Sequence, residues 1–246
     1  MLPSFESFHQ KFSTHYKIII DPIQARRDLA FKWLHEGYGI EVGAGFWPTP
    51  LSKKHFVLYG DTKTKDRQHY LFKELLPHPQ ESNGFVDVDF KWPPSIGLSN
   101  LDFFICNYTL HLVEDPITFL SHASSFLKKG ARAMFTVPDA TVQYDMRTRT
   151  LIWEWLTANT NKHHVRSKKM EFAYYYKKLR TGSELLRAAK LYERYENDPE
   201  LWVFDKLSLR PLIENALKFG EIPMKLVVVG DHKGFKELTF ILEKTL

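Results

Sequence analysis

Cysteine is almost absent from this chain: Cys106 is the only one in 246 residues. A lone cysteine excludes an internal disulfide and a cysteine-built zinc site. Its place in an apolar stretch predicts a small core side chain. No apolar run approaches the ~20 residues that a membrane span needs. The leading residues Met1-Leu2-Pro3-Ser4-Phe5-Glu6 lack the basic, apolar and small-residue regions of a secretion signal. Charge of either sign is not in large excess. The 34 lysines and arginines against 29 aspartates and glutamates leave +5, dispersed along the chain, which does not predict a nucleic-acid partner. There is no internal repeat and no low-complexity tract. These absences leave a globular protein, expected in the cytoplasm, with an ordinary hydrophobic content of 43%. It is long enough for one sizeable core with room for an insertion.

Aromatic residues, at 15%, are plentiful. Many fall between Tyr144 and Phe204: Trp153, Trp155, Tyr174, Tyr175, Tyr176, Tyr192, Tyr195 and Trp202. They predict a helical subdomain that buries large side chains against the rest of the fold. An aromatic-lined acceptor pocket is a second reading, compatible with the first.

Periodicity and turn residues predict an alternating order of elements. Pro22 to Leu34 reads as an amphipathic helix capped by Asp21, with Ile23, Leu29, Ala30, Trp33 and Leu34 facing inward and Gly37 ending it. Strands follow at Tyr38 to Val42, His55 to Asp61, Phe85 to Phe90 and Leu101 to Asn107; the last is nearly continuous in apolar residues, as a central parallel strand requires. Asp115-Pro116 opens a helix to about Leu127, for which Lys128-Lys129-Gly130 reads as the basic, glycine-terminated end. Ala131 to Val137 is a fifth strand. An insertion from Pro138 to Asp205 follows, mostly helical, for instance over Ser183 to Tyr195. Leu207 to Phe219 is a helix, and Lys225 to Val229 with Leu238 to Leu242 a hairpin. The whole reads as one α/β domain over 1–246.

The chemistry gathers where predicted strands end. Glu41 closes the first strand, and Gly43 and Gly45 let the backbone turn sharply and approach a ligand. Pro48 and Pro50 argue against a long helix after that turn. The second strand ends in Asp61, the third in Asp87 and Asp89, and the fourth in Asn107. Each acid also reads as a solvated residue capping a loop. In series they describe a crevice at the carboxyl ends of parallel strands, where open α/β sheets bind nucleotides.

Three stretches resemble class I S-adenosylmethionine-dependent methyltransferases: Glu41 to Leu51, Leu101 to Pro116, and Leu127 to Asp139. The similarity extends from about Gly37 to Lys244, and is greatest to methyltransferases of bacterial glycan and capsule biosynthesis. It implies a Rossmann-like seven-stranded sheet with the last strand antiparallel, and S-adenosylmethionine as cofactor. It implies that Asp61 takes the ribose hydroxyls and that the turn at Gly43 and Gly45 carries the methionine portion. Glu41 would order that turn and reach the ligand's amino group. Asp87 would meet the adenine amino group, and Asn107 would face the methionine portion. Where such relatives read Asn-His, two residues, then Glu-His, this chain has Asn107-Tyr108-Thr109-Leu110-His111-Leu112. It also has Trp155 and Leu201-Trp202-Val203-Phe204 in place of their histidines.

Methyl transfer to a hydroxyl calls for a base of near-neutral pKa, which favours histidine. His111, after the fourth strand, is the first candidate; Asp139 and Asp145, after the fifth, come next. No metal site is expected. His163 and His164 are adjacent and diverge, without an acidic set beside them. Arg147, Arg149, Arg166, Lys168 and Lys169 form either a solvated basic face or a site for an anionic acceptor. The expected activity is O-methylation of a small polar, anionic or carbohydrate-related acceptor covered by the insertion. A degenerate cofactor-binding or scaffold protein is the alternative. A nicotinamide-dependent oxidoreductase fits less well, because Trp47-Pro48 stands where a third glycine and a helix start would hold a pyrophosphate.

Overall fold

The computed structural model describes residues 24–45, 47–64, 66, 87–94, 97–141, 149–161, 202–231 and 237–246. Among these residues the fold is a seven-stranded sheet of order β3-β2-β1-β4-β5-β7-β6. The strands are β1 (Gly37–Val42), β2 (His55–Asp61), β3 (Phe90–Lys91), β4 (Leu101–Asn107), β5 (Leu127–Pro138), β6 (Met224–Asp231) and β7 (Glu237–Lys244). β7 alone runs antiparallel to its neighbours, inserted between β5 and β6. This is the Rossmann-like α/β sheet that the resemblance implied.

β4 shows why the centre forms where it does. It pairs in parallel with β1 on one side and β5 on the other. Its side chains alternate between two cores. Phe104 and Cys106 meet a large cluster built with helices α2 (Pro116–Phe126), α3 (Ile152–Asn161) and α4 (Lys206–Phe219). Phe103 and Ile105 meet a smaller one with Ala30 and Leu34 at the end of helix α1 (24–33). A strand buried on both faces has no need for polar alternation. Burial also pushes the Cys106 thiol up to about 12, in keeping with an inert core residue.

Helix ends follow local chemistry. Asp115 caps α2, its carboxylate accepting from the Thr118 N–H at 3.0 Å and hydroxyl at 2.6 Å, with Pro116 at the first turn. Asp205 caps α4 by accepting from the N–H groups of Leu207 and Ser208. The expected basic end of α2 is corrected. The chain turns extended at Leu127, and Lys128 to Gly130 already belong to β5, where Lys128 pairs with Asp102 of β4. The strand partner outcompetes the helix dipole for that cation.

The third strand is also corrected. Its ladder with β2 is only Gly60↔Phe90 and Asp61↔Lys91, so residues 87–89 precede it. Ahead of it Asp89 meets Tyr59 twice, its N–H donating to the Tyr59 carbonyl at 2.8 Å and its carboxylate accepting from the Tyr59 N–H at 2.7 Å. Phe85 and Asp21 to Ile23 lie outside the described residues.

Of residues 138–205, read from the sequence as an insertion, the structure describes 138–141, 149–161 and 202–205. Trp155, Trp202 and Phe204 are fully buried and pack edge to face, at 6.3 and 6.1 Å between centroids. They serve as core for α3, as the aromatic content suggested, whereas Trp153 is exposed. Tyr174 to Tyr176, Tyr192, Tyr195 and the helix expected over Ser183 to Tyr195 lie outside the described residues.

Candidate functional site

The carboxyl ends of β1, β2 and β4 border a cavity of about 530 Å³. Val42, Gly43 and Gly45 form one wall, Asp61 to Lys63 a second, and Trp92 with Pro93 a third. Tyr108, Thr109, Leu112 and Val113 follow β4, and Asp115, Thr118, Phe119 and His122 come from α2 and its cap. Leu112, Val113, Phe119 and Trp92 make the lining apolar, with a few placed polar groups, as a small-molecule site requires.

The two glycines divide the work. Both have left-handed backbones, with φ of 74° at Gly43 and 56° at Gly45. A Cβ on Gly45 would meet nothing within 4 Å, so this glycine leaves open the space beside the turn. A Cβ on Gly43 would land on the Thr109 hydroxyl. Gly43 is therefore required first by the packing of the turn against the segment after β4, beside any room it leaves for a ligand.

Glu41 does order the turn, but from beneath. It is fully buried and absent from the cavity lining. Its carboxylate accepts from the Thr49 N–H at 3.1 Å, the Thr49 hydroxyl at 2.9 Å and the Asn107 Nδ2 at 3.0 Å. Burial pushes its pKa up against the hydrogen bonds from Thr49 and Asn107 and the charge of Arg26, which lower it. Asn107 donates also to the Thr49 hydroxyl at 2.8 Å and accepts from the Thr136 hydroxyl at 2.8 Å. Its side chain is thus committed inside the protein rather than presented to the cavity. In place of a helix after β1, this buried network holds residues 47–50 against the sheet.

Asp61 borders the cavity, as expected. Its Oδ1 accepts from the Lys63 N–H at 2.9 Å. Burial raises its pKa, opposed by hydrogen bonds from Lys63 and Thr62 and by the Lys63 charge. Asp87 does not share this end of the sheet. It is exposed, lies ahead of β3, and is not among the cavity residues. Because β3 starts five residues later than the pattern suggested, Trp92 and Pro93 occupy the position assigned to that acid.

Of the catalytic candidates, the described His111 and Asp139 are not among the cavity residues. His111 is 4% exposed, lies 5.8 Å from Tyr108 in a perpendicular ring contact, and does not line the cavity. Asp139 is buried beside Phe204, accepting from the Thr141 N–H at 2.9 Å and hydroxyl at 2.6 Å; it caps a turn. Asp145, Arg147, His163, His164, Arg166, Lys168 and Lys169 lie outside the described residues. Arg149 is held by Asp205 at 2.6 Å. Among the described residues no cluster of three or more His, Cys, Asp or Glu could hold a metal.

Thr49, Trp92, Tyr108 and the Arg26–Glu237 pair went unassigned. Thr49 and Tyr108 sit inside the stretches read as motifs. Arg26 and Glu237 lie 211 residues apart, and no local signal joins them.

A family model described as a methyltransferase domain matches residues 18–171. No curated protein matches the sequence. Solved structures resemble the fold at low identity. A protein described as a candidate Zn-dependent alcohol dehydrogenase from Rhodobacter sphaeroides is 11% identical, with a TM-score of 0.52 covering 90% of this chain and 89% of its own. A SAM-dependent methyltransferase from Thermotoga maritima is 16% identical, with a TM-score of 0.49 and 98% of each chain covered. Magnesium protoporphyrin IX methyltransferase from Synechocystis PCC 6803, solved with S-adenosylhomocysteine, is 11% identical, with a TM-score of 0.47 covering 100% and 90%.

Proposed function

The chain belongs to the methyltransferase domain family, and from that premise we propose that it is an S-adenosylmethionine-dependent methyltransferase. The observation that carries this reading is the cavity at the carboxyl ends of β1, β2 and β4, with Gly45 open on one side and the Asp61 carboxylate on another. These residues fit the cofactor. Asp61 would accept from the ribose hydroxyls, the turn at Gly43 and Gly45 would take the methionine portion against the backbone, and Trp92 and Phe119 supply an apolar wall for the base. The cofactor supplies a methyl group already activated on a sulfonium. The chain's residues are left to position both reactants and exclude water.

For the acceptor we favour O-methylation of a small polar, anionic or carbohydrate-related molecule, covered by the insertion over 138–205. This rests on the resemblance and the chain's mild positive charge. Burial of His111 and Asp139 away from the cavity favours an acceptor that needs no side-chain base, such as a phosphate or carboxylate. The same observation supports a second reading, a cofactor binder without turnover.

Calorimetry with S-adenosylmethionine, S-adenosylhomocysteine and NAD tests the cofactor. An acceptor screen following S-adenosylhomocysteine formation tests turnover. Binding of NAD alone would overturn the proposal. Binding of S-adenosylmethionine with no product from any acceptor would favour the second reading.

A further inference from the structure

Tyr108 has a backbone that a bulky residue seldom adopts. Its φ is 51°, in the left-handed region. Asn100 and Glu221 share that feature among the described non-glycine residues, and Tyr108 is the one of the three that borders the cavity. A strained conformation at a ligand wall persists only where the surroundings enforce it. The surroundings are specific. The Tyr108 N–H donates to the Thr136 carbonyl at 3.0 Å. The Arg26 guanidinium lies over the ring, 5.2 Å from its centroid. Arg26 is itself held by Glu237 in a two-point contact, 2.6 Å at Nη2 and 3.2 Å at Nε, with both residues buried.

This pair joins α1 to the start of β7, where Glu237 lies opposite Pro138 at the carboxyl end of β5. It therefore sits at the ligand end of the sheet. An unbalanced guanidinium there would repel a cationic ligand, and Glu237 cancels its charge. The π-face of a tyrosine attracts cations, and the methyl donor proposed above carries its positive charge on sulfur.

We propose that Tyr108 contacts that charge, and that Arg26 and Glu237 act as the positioning pair that keeps the ring at the cavity wall. The inference rests on the cofactor reading. S-adenosylmethionine and S-adenosylhomocysteine differ by one methyl group and one positive charge. A ring acting through its π-face discriminates between them, whereas a ring that only fills space does not.

The test is calorimetry of the full chain with both ligands. Tyr108→Leu should weaken S-adenosylmethionine binding by about three- to thirtyfold and change S-adenosylhomocysteine binding less than about twofold. Tyr108→Phe should retain both affinities. Fluorinated phenylalanines at position 108, which drain the π-face without changing its shape, should lower the first affinity stepwise and not the second. They also carry the test if the leucine variant does not fold. Arg26→Met with Glu237→Leu leaves no buried charge unpaired. It should keep the circular dichroism of the native fold and lose part of the same discrimination. Equal loss of both ligands in Tyr108→Leu, or no grading in the fluorinated series, overturns the contact. An unchanged ratio in the double variant overturns the positioning role. If the native chain binds neither ligand, the cofactor reading fails and this inference fails with it.

Discussion

The backbone N–H and the hydroxyl of Thr49 both end on the carboxylate of Glu41, at 3.1 and 2.9 Å, in a region that water does not reach. Seven residues separate them, and those residues are the glycine turn. The contact closes that turn as a loop under the cavity, with Asn107 as its third member.

Thr49→Val should therefore destabilise the protein out of proportion to its size. It removes a donor to Glu41 and an acceptor for the Asn107 amide while keeping the volume. Two buried hydrogen bonds are lost, while Glu41 keeps the residue-49 N–H and the Asn107 amide, so the cost should be about 1–3 kcal/mol, measurable by urea denaturation. Thr49→Ser should restore most of it. Cofactor affinity should follow the same order, since the loop that carries Gly45 is loosened.

As the proposed ribose contact, Asp61 should make cofactor binding pH-dependent. Burial raises its pKa in the free protein, and the ribose hydroxyls are held best by the ionised form. Binding should favour ionisation, so affinity is full above the raised pKa and falls as pH drops through it into the usual carboxylate range. Calorimetry across pH should show that decline in the native chain. Asp61→Asn should bind about tenfold to a hundredfold more weakly at neutral pH and show a flat profile over the same window.

Gly43→Ala should be a folding variant as much as a binding one. Its Cβ would strike the Thr109 hydroxyl, and its φ of 74° is unfavourable for any side chain. Strain and overpacking together should cost about 2–5 kcal/mol. Adding Thr109→Ala should recover the packing share and leave the backbone share. Simple additivity of the two substitutions in thermal denaturation would show that the Thr109 contact is irrelevant.

Asp205 makes part of the fold's stability acid-sensitive. Burial pushes its pKa up, but the Ser208 N–H and hydroxyl and the Arg149 guanidinium outweigh it, leaving the value below the ordinary one. The folded-state pKa is depressed, so the stabilisation is present above the unfolded value of about 3.9 and is lost as pH falls through the folded value. Asp205→Ala should cost about 2–4 kcal/mol at neutral pH through the lost cap and ion pair. The deficit should shrink in acid. Asp205→Asn should lose less, because an amide oxygen still caps the helix.

Much of the fold was legible because its signals are local. β4 announces itself as a continuous apolar run, and Asp115-Pro116 marks a helix start by side-chain hydrogen bonds within three residues. Asp61 was legible for the same reason, as an acid closing an apolar strand. β3 was misplaced because two ladder pairs leave almost no periodicity to read, and Asp87 therefore lies ahead of the strand it was expected to close. His111 follows β4 as expected, but which way a side chain faces after a strand ends depends on what packs around it.

The sequence by itself determined the order of strands and helices, the glycine turn, the acid at the end of β2 and the family resemblance. Each of these depends on residues within a few positions of one another. Only the tertiary structure decided what the polar residues do. Glu41 and Asn107 became the buried support of a loop, and Asp139 a turn cap. Arg26 and Glu237, from opposite ends of the chain, became a neutral pair beneath Tyr108. A buried polar group must find a partner wherever the fold brings one within reach, and that distance in space is not written in the spacing along the chain.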